Sequence, residues 1–135
     1  MNMAVETGKT YKAALNSFVR ECGYSVAENV IVGEKIDGST MKASLVLRPD
    51  KKRRVLVFVR TQTVSGSAED KIPYDLLNAD KVRAKGEKAF LVLSGKGWSL
   101  EKKKFFVTSL GRKLGSSVKV LSESDFRSMV VRRIV

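Results

Sequence analysis

Two apolar runs, residues 41–48 (MKASLVLR) and 54–62 (RVLVFVRTQ), flank Pro49-Asp50-Lys51-Lys52-Arg53, and this arrangement restricts the fold more than any other stretch. β-Branched residues at a spacing of two favour extended chain, and Pro-Asp opens a tight turn, so the pair reads as a β-hairpin. Asp50 is on this reading a turn former and not a metal ligand. A hairpin with so much apolar surface needs covering, and the flanking segments can supply it. Tyr11, Ala14, Leu15, Phe18 and Val19 keep the i, i+3, i+4, i+7, i+8 spacing of one apolar helix stripe. Cys22-Gly23 supplies a stop, which places this helix near residues 9–22. Residues 24–33 (YSVAENVIVG) read as a strand, and Asp37-Gly38 as a turn.

Beyond the hairpin, residues 63–67 (TVSGS) form a polar loop. Ser67 and Asp70 have the spacing of a capping box, and Ile72, Leu76, Leu77 and Ala79 to Val82 continue on helical spacing. Pro73 either separates the first turn or sits in the first turn of the helix proper. The continuous run at 89–93 (AFLVL) is the mark of a strand covered on both faces. Ser99 is placed to cap a helix reaching about Leu114, residues 118–121 form a last strand, and Ser122 caps a final helix holding Phe126, Met129, Val130 and Ile134. The order α, three strands, α, β, α, β, α predicts an α/β fold, a mixed sheet with helices on both faces, in one domain spanning residues 1–135.

Charge narrows the function. Lys and Arg number 26 against 14 Asp and Glu, a formal +12 with a pI near 10.0. Such an excess repels itself unless a polyanion offsets it. A basic amphipathic helix of the membrane-surface kind is not evident, so nucleic acid is the expected partner. The basic residues fall into patches: Lys51 to Arg54, then Lys81, Arg83, Lys85 and Lys88, then Lys102 to Lys104, then Arg112 with Lys113. At least two of these are expected to touch phosphate; the bland alternative is a solvated basic surface. There is no histidine, which excludes histidine acid–base chemistry, and no zinc-ligand spacing or phosphate-binding glycine loop. No apolar run reaches the roughly 20 residues of a membrane span, and residues 1–10 lack a signal-like stretch. With Cys22 as a lone, structurally buried thiol, a cytoplasmic chain is expected, associated with the nucleoid when bound to DNA. Trp98 suits either base stacking or the core.

In the strand at 54–62 the pleat sends Val55, Val57 and Val59 to one face, the expected core face. Arg54, Leu56, Phe58, Arg60 and Gln62 take the other. Arg60 and Gln62 then lead into Ser65-Gly66-Ser67 and a helix start, which suggests a ligand-binding edge; an edge strand with a solvated face is the alternative.

The segment from Arg60 to Tyr74 (RTQTVSGSAEDKIPY) resembles a signature of one branch of the PD-(D/E)XK nuclease superfamily, Lys-x-Gln-x-x-Ser-Gly-Thr-Ala-Glu-Glu-Lys-x-Pro, directly after the third strand. Residues 89–98 (AFLVLSGKGW) are similar to the strand and Gly-Trp turn that follow in the same branch. The resemblance implies a restriction-endonuclease-like αβββαβ core with an extra C-terminal α-β-α. It also implies where catalysis would lie. Such enzymes hold Mg²⁺ with an Asp on the second strand and an acid on the third, and a Lys two residues on orients the attacking water. The corresponding positions here are Ser44, Phe58 and Arg60, and all three depart from the pattern.

The resemblance therefore implies a DNA-binding protein with an eroded active site, needing no cofactor, binding double-stranded DNA and working as a homodimer. Its implied nucleic-acid contacts are Arg60, Gln62, Ser65, Ser67 and Lys71, with Lys51, Lys52, Arg53 and Arg54 on the hairpin. An alternative is an active Mg²⁺-dependent endonuclease whose metal ligands have moved to Glu34, Asp37 and Glu69, with Asp70 beside them. Turn chemistry for the first two, and helix capping for the others, would equally account for those carboxylates. A third alternative is a structural or assembly subunit whose basic face meets an acidic protein.

Overall fold

The computed structural model describes residues 8–135. Helix α1 spans Gly8–Glu21, followed by strands β1 (Ser25–Glu34), β2 (Thr40–Arg48) and β3 (Val55–Thr61). Helix α2 (Ala68–Val82) leads to β4 (Lys88–Ser94). Helix α3 (Leu100–Phe105), a π-helical turn (Phe106–Leu110) and α4 (Gly111–Leu114) run on as one helical stretch, and β5 (Lys119–Ser122) and α5 (Glu123–Val131) close the chain. The element order is the one expected from the sequence. Among the described residues no helix is long and apolar enough to cross a membrane.

The five strands form one mixed sheet in the order β1-β2-β3-β4-β5. β1, β2 and β3 are antiparallel neighbours, whereas β4 and β5 are parallel to β3. Each face carries its own core. On one, Leu15 and Val19 of α1 and Phe126 and Val130 of α5 pack on Leu45, Leu47, Val55, Val57, Phe90 and Val92. On the other, Ile72, Leu76 and Ala79 of α2 and Phe106 and Leu110 of the π-turn pack on Ala43, Leu56, Phe58, Leu91 and Leu93.

β3 is thus the central strand, buried on both faces, and not the edge strand that its polar residues allowed. The valines mark only one of its two core faces; Leu56 and Phe58 mark the other, and Arg54 and Arg60 lie where helical cover ends. Helix α2 starts at Ala68 as expected, but the capping box does not form: the Ser67 hydroxyl makes no cap bond. Asp70 N–H donates instead to the Ser67 carbonyl. Pro73 is an interior helix residue; an N–H there would have bonded the carbonyl one turn back, at Glu69. Ser99 likewise occupies a cap position without capping, while the Ser122 hydroxyl does accept from Asp125 N–H. Asp50 accepts from the N–H groups of Lys52 and Arg53 and organises the hairpin turn. The Arg53 guanidinium above all, and then these bonds, hold its carboxyl below the usual carboxylate range.

β1 is irregular at two points, a register shift between Ile31 and Gly33 and a left-handed residue nearer the middle of the strand. The pairs Glu28↔Leu45 and Val30↔Ala43 put Asn29 opposite Ser44, and Asn29 has a left-handed φ of 50°. Asparagine tolerates that conformation better than most residues. Across this point β2 changes face: Met41 and Ala43 belong to the α2-side core, yet Leu45 and Leu47 belong to the α1-side core. Pairing between β2 and β3 runs only from Leu47↔Val55 to Leu45↔Val57, and the strands then diverge.

Candidate nucleic-acid interface

The divergence of β2 and β3 leaves a cleft of about 320 Å³, and Ser44, Phe58 and Arg60 all line it. It opens where parallel strands β3 and β4 end, the side of an α/β sheet on which helix-connected strands leave room for ligands. Ser44 bridges the gap: its hydroxyl accepts from the Val59 N–H at 3.0 Å, replacing a lost ladder bond. The Phe58 ring is buried beneath the α2 helix and closes the floor. Arg60 forms a side-on pair with Asp75 of α2, Nε to Oδ2 and Nη2 to Oδ1, both at 2.7 Å. Two of the five guanidinium N–H donors are engaged in this way, which leaves the others free to turn outward.

Three further cations reach the same cleft: Lys12 from α1, Lys35 from the β1–β2 turn and Lys42 from β2. The fold aims each of them. The turn carrying Lys35 is tied to α2, because Ile36 N–H donates to buried Asn78 and the Lys81 ammonium donates to the Glu34 carbonyl, both at 2.8 Å. Lys42 is the exposed residue between buried Met41 and Ala43. Among the described residues, four cations therefore face a cleft lined by a single carboxylate, Asp75, and that carboxylate is already clamped by Arg60. Mg²⁺ requires near-octahedral oxygen ligands with negative charge among them. A hydroxyl occupied by Val59, a phenyl ring and an ion-paired Asp75 do not provide such a set, so these residues do not fit the metal.

Glu34, Asp37 and Glu69 are not brought together as a substitute. Among the described residues, no three of the residue types that ligate metals converge on a cation site. Asp37 and Glu69 each have a local task that explains their positions. Glu34 ends edge strand β1. Asp37 accepts from the hydroxyl and N–H of Ser39, which hold its carboxyl below the usual range. Glu69 is buried and accepts from Ser99 N–H at 2.6 Å, with Lys102 beside it at 3.4 Å. The Ser99 N–H is the main reason its carboxyl is held below the usual glutamate range, and Lys102 adds to the effect. Asp70 is exposed in the first turn of α2.

Gln62, expected as a nucleic-acid contact, is instead only 5% exposed. Its amide donates to the Gly97 carbonyl at 2.8 Å and to Glu69, and its side-chain oxygen accepts from Ala68 N–H at 3.0 Å. The residues that make the Arg60–Tyr74 segment distinctive are thus largely internal stitching. A polar side chain at a strand end has to satisfy its donors and acceptors once buried, and here loop and helix start supply every partner. Ser65, Ser67 and Lys71 do lie exposed, Lys71 one turn before Asp75 on α2. Trp98 is in the α2-side core, with its indole N–H donating to the Ser94 carbonyl at 2.7 Å. The hairpin cations Lys51, Lys52, Arg53 and Arg54 are at the other end of β3, away from the cleft. Lys12, Lys35, Lys42 and Asp75 were not singled out by the sequence; the only available signal was Lys42 alternating with Ser44 on β2.

Residues 3–133 match the family described as the PD-(D/E)XK nuclease superfamily domain. Among solved structures, the restriction endonuclease PspGI in complex with substrate DNA is similar, with a TM-score of 0.59 at 9% identity, covering 94% of this chain and 61% of that one. The small subunit of the heterodimeric restriction endonuclease R.BspD6I is also similar, with a TM-score of 0.51 at 13% identity, covering 90% of this chain and 67% of that one. This chain spans less than two thirds of the PspGI chain. The likeness shows a restriction-endonuclease-like fold. No curated protein matches the sequence.

Proposed function

The chain belongs to the PD-(D/E)XK nuclease superfamily, and from that membership we propose that it is a DNA-binding protein whose cleft holds a backbone phosphate without cutting it. The observation that carries this reading is the loss of both acids, at positions 44 and 58, from a cleft that keeps a cation at position 60 and gathers others around it. Where nuclease relatives collect carboxylates around a metal ion, this cleft collects Lys12, Lys35, Lys42 and Arg60. A cationic hollow of this kind suits the phosphate itself, and the planar Arg60 fork matches phosphate geometry. Ser65, Ser67 and Lys71 are exposed, Lys71 one turn before Asp75 on α2, and on this reading they extend the contact along the backbone. PspGI was solved with its substrate DNA, which makes double-stranded DNA the polyanion to test first.

Binding and cleavage are tested together. Fluorescence anisotropy with a short duplex should show affinity falling steeply with salt, because each neutralised phosphate releases counterions. Supercoiled plasmid should stay intact in Mg²⁺ or Mn²⁺. The triple variant Ser44→Asp, Phe58→Glu, Arg60→Lys should acquire metal binding detectable by calorimetry, since it returns two oxygen ligands to the cleft. Metal-dependent nicking by the wild type would overturn the non-cleaving reading, and a salt-independent or absent interaction with duplex would overturn DNA as the partner.

A further inference from the structure

A second group of cations gathers at the far end of the sheet. Arg48 of β2, Lys52, Arg53 and Arg54 of the hairpin, and Lys85 and Lys88 around the α2–β4 loop line a hollow of about 440 Å³. Strand direction explains the convergence. β2 ends there and β3 begins there, and β4, parallel to β3, begins there as well. Among the described residues only one carboxylate, Glu87, lines the hollow, and it is paired with Arg54 at 2.6 Å. Among the described residues, Lys52, Lys85 and Lys88 have no ion-pair partner. Arg53 is paired with Asp50 and Arg54 with Glu87, but the remaining charge of one sign, drawn from three separate segments, suits a polyanion from outside the chain.

This hollow is not an extension of the cleft. Arg54 and Arg60 are six residues apart on one strand, about 20 Å at ~3.3 Å per residue. Helices cover both faces of the sheet between the two ends. Of the two edge strands, β1 is the longer, and its sequence SVAENVIVGE carries Glu28 and Glu34 and no Lys or Arg. A duplex laid along that edge would meet acidic groups between the two basic ends.

We propose that the hairpin end is a second duplex-binding face, so that one chain holds two DNA segments at once. The inference rests on the cleft being a DNA site, and the experiment separates the two. One duplex is tethered to beads and a second, labelled duplex is offered after the protein is loaded at limiting amount. Anisotropy with a single duplex is measured in parallel. Wild-type protein should capture the labelled duplex. The variant Lys52→Ser, Arg53→Ser, Lys85→Ser, Lys88→Ser should lose capture roughly tenfold while still binding a single duplex through the cleft. All four residues lie on the surface, and an unchanged thermal midpoint by circular dichroism confirms folding; the milder pair Lys85→Ser, Lys88→Ser should show a smaller loss of the same sign. Capture by the quadruple variant equal to wild type would assign bridging to a second copy of the chain and overturn the proposal. Single-duplex binding by the wild type without any capture would also overturn it, while leaving the cleft reading intact. Failure to bind even a single duplex would remove the cleft reading on which the proposal stands.

Discussion

Asp75 sets the charge of the cleft, because among the described residues it is the one carboxylate lining it and it holds Arg60 by two hydrogen bonds. Replacing it with Asn has a definite sign. Asp75→Asn releases Arg60 and removes a negative charge, so duplex affinity should rise several-fold and the salt slope should steepen by about one. Arg60 remains about one third exposed in the pair, so the stability lost should be under about 1 kcal/mol. Anisotropy titrations at two salt concentrations decide it; weaker binding would show that Arg60 works only while Asp75 orients it. Ser44, Phe58 and Arg60 were legible in the sequence because a strand's period of two fixes which residues point together, and a family resemblance fixed the register. Lys12, Lys35 and Asp75 were not, since they come from a helix, a turn and a second helix whose packing no local pattern states. Gln62 was legible as important but not in its role: nothing in the sequence says that the Gly97 carbonyl lies beside it.

The connection from β3 into α2 is locked against the connection leaving β4. Gln62 N–H donates to the Ser94 carbonyl, Gly97 N–H donates to the Gln62 carbonyl, and a Cβ at Gly97 would come within 2.5 Å of the Val64 backbone. Glycine is required there by close approach. Glu69 extends the lock from the start of α2 to the start of α3 through Ser99. Its carboxyl is held below the usual range in the folded chain, so the stabilisation is complete above the ordinary glutamate pKa and is lost as pH falls through the depressed value. Glu69→Gln should therefore lower the melting temperature at neutral pH and flatten its fall as pH drops below the ordinary glutamate pKa. Thermal melts across that range check the effect; an acid limb identical to wild type would assign it to other carboxylates such as Asp37. Strand and helix positions were legible at this scale because their apolar periods were clear. The caps at Ser67 and Ser99 were misread because a hydroxyl at the right spacing can turn to a neighbouring element instead: Ser99 Oγ lies 3.4 Å from Glu69.

Over the whole molecule, the formal +12 has two opposite dependences on salt. Screening relieves self-repulsion, so the melting temperature of the free protein should rise by a few degrees from low to moderate ionic strength, while duplex affinity falls over the same range. Added duplex should raise the melting temperature most at low salt, through preferential binding to the folded state. Scanning fluorimetry across a salt series, with and without DNA, reads both trends; a free-protein midpoint that falls with salt would show that ion pairs such as Arg60–Asp75 outweigh the repulsion. The strand order, in which every strand neighbours its predecessor in the chain, bears on how the protein is made. Each strand leaving the ribosome finds its docking edge already present, so the sheet can grow in the direction of synthesis without waiting for a later strand to be inserted. Lys12, Lys35, Lys42, Arg60 and Asp75 all emerge before β4, and the nascent chain therefore carries every charged group of the cleft while its last two strands are still being translated.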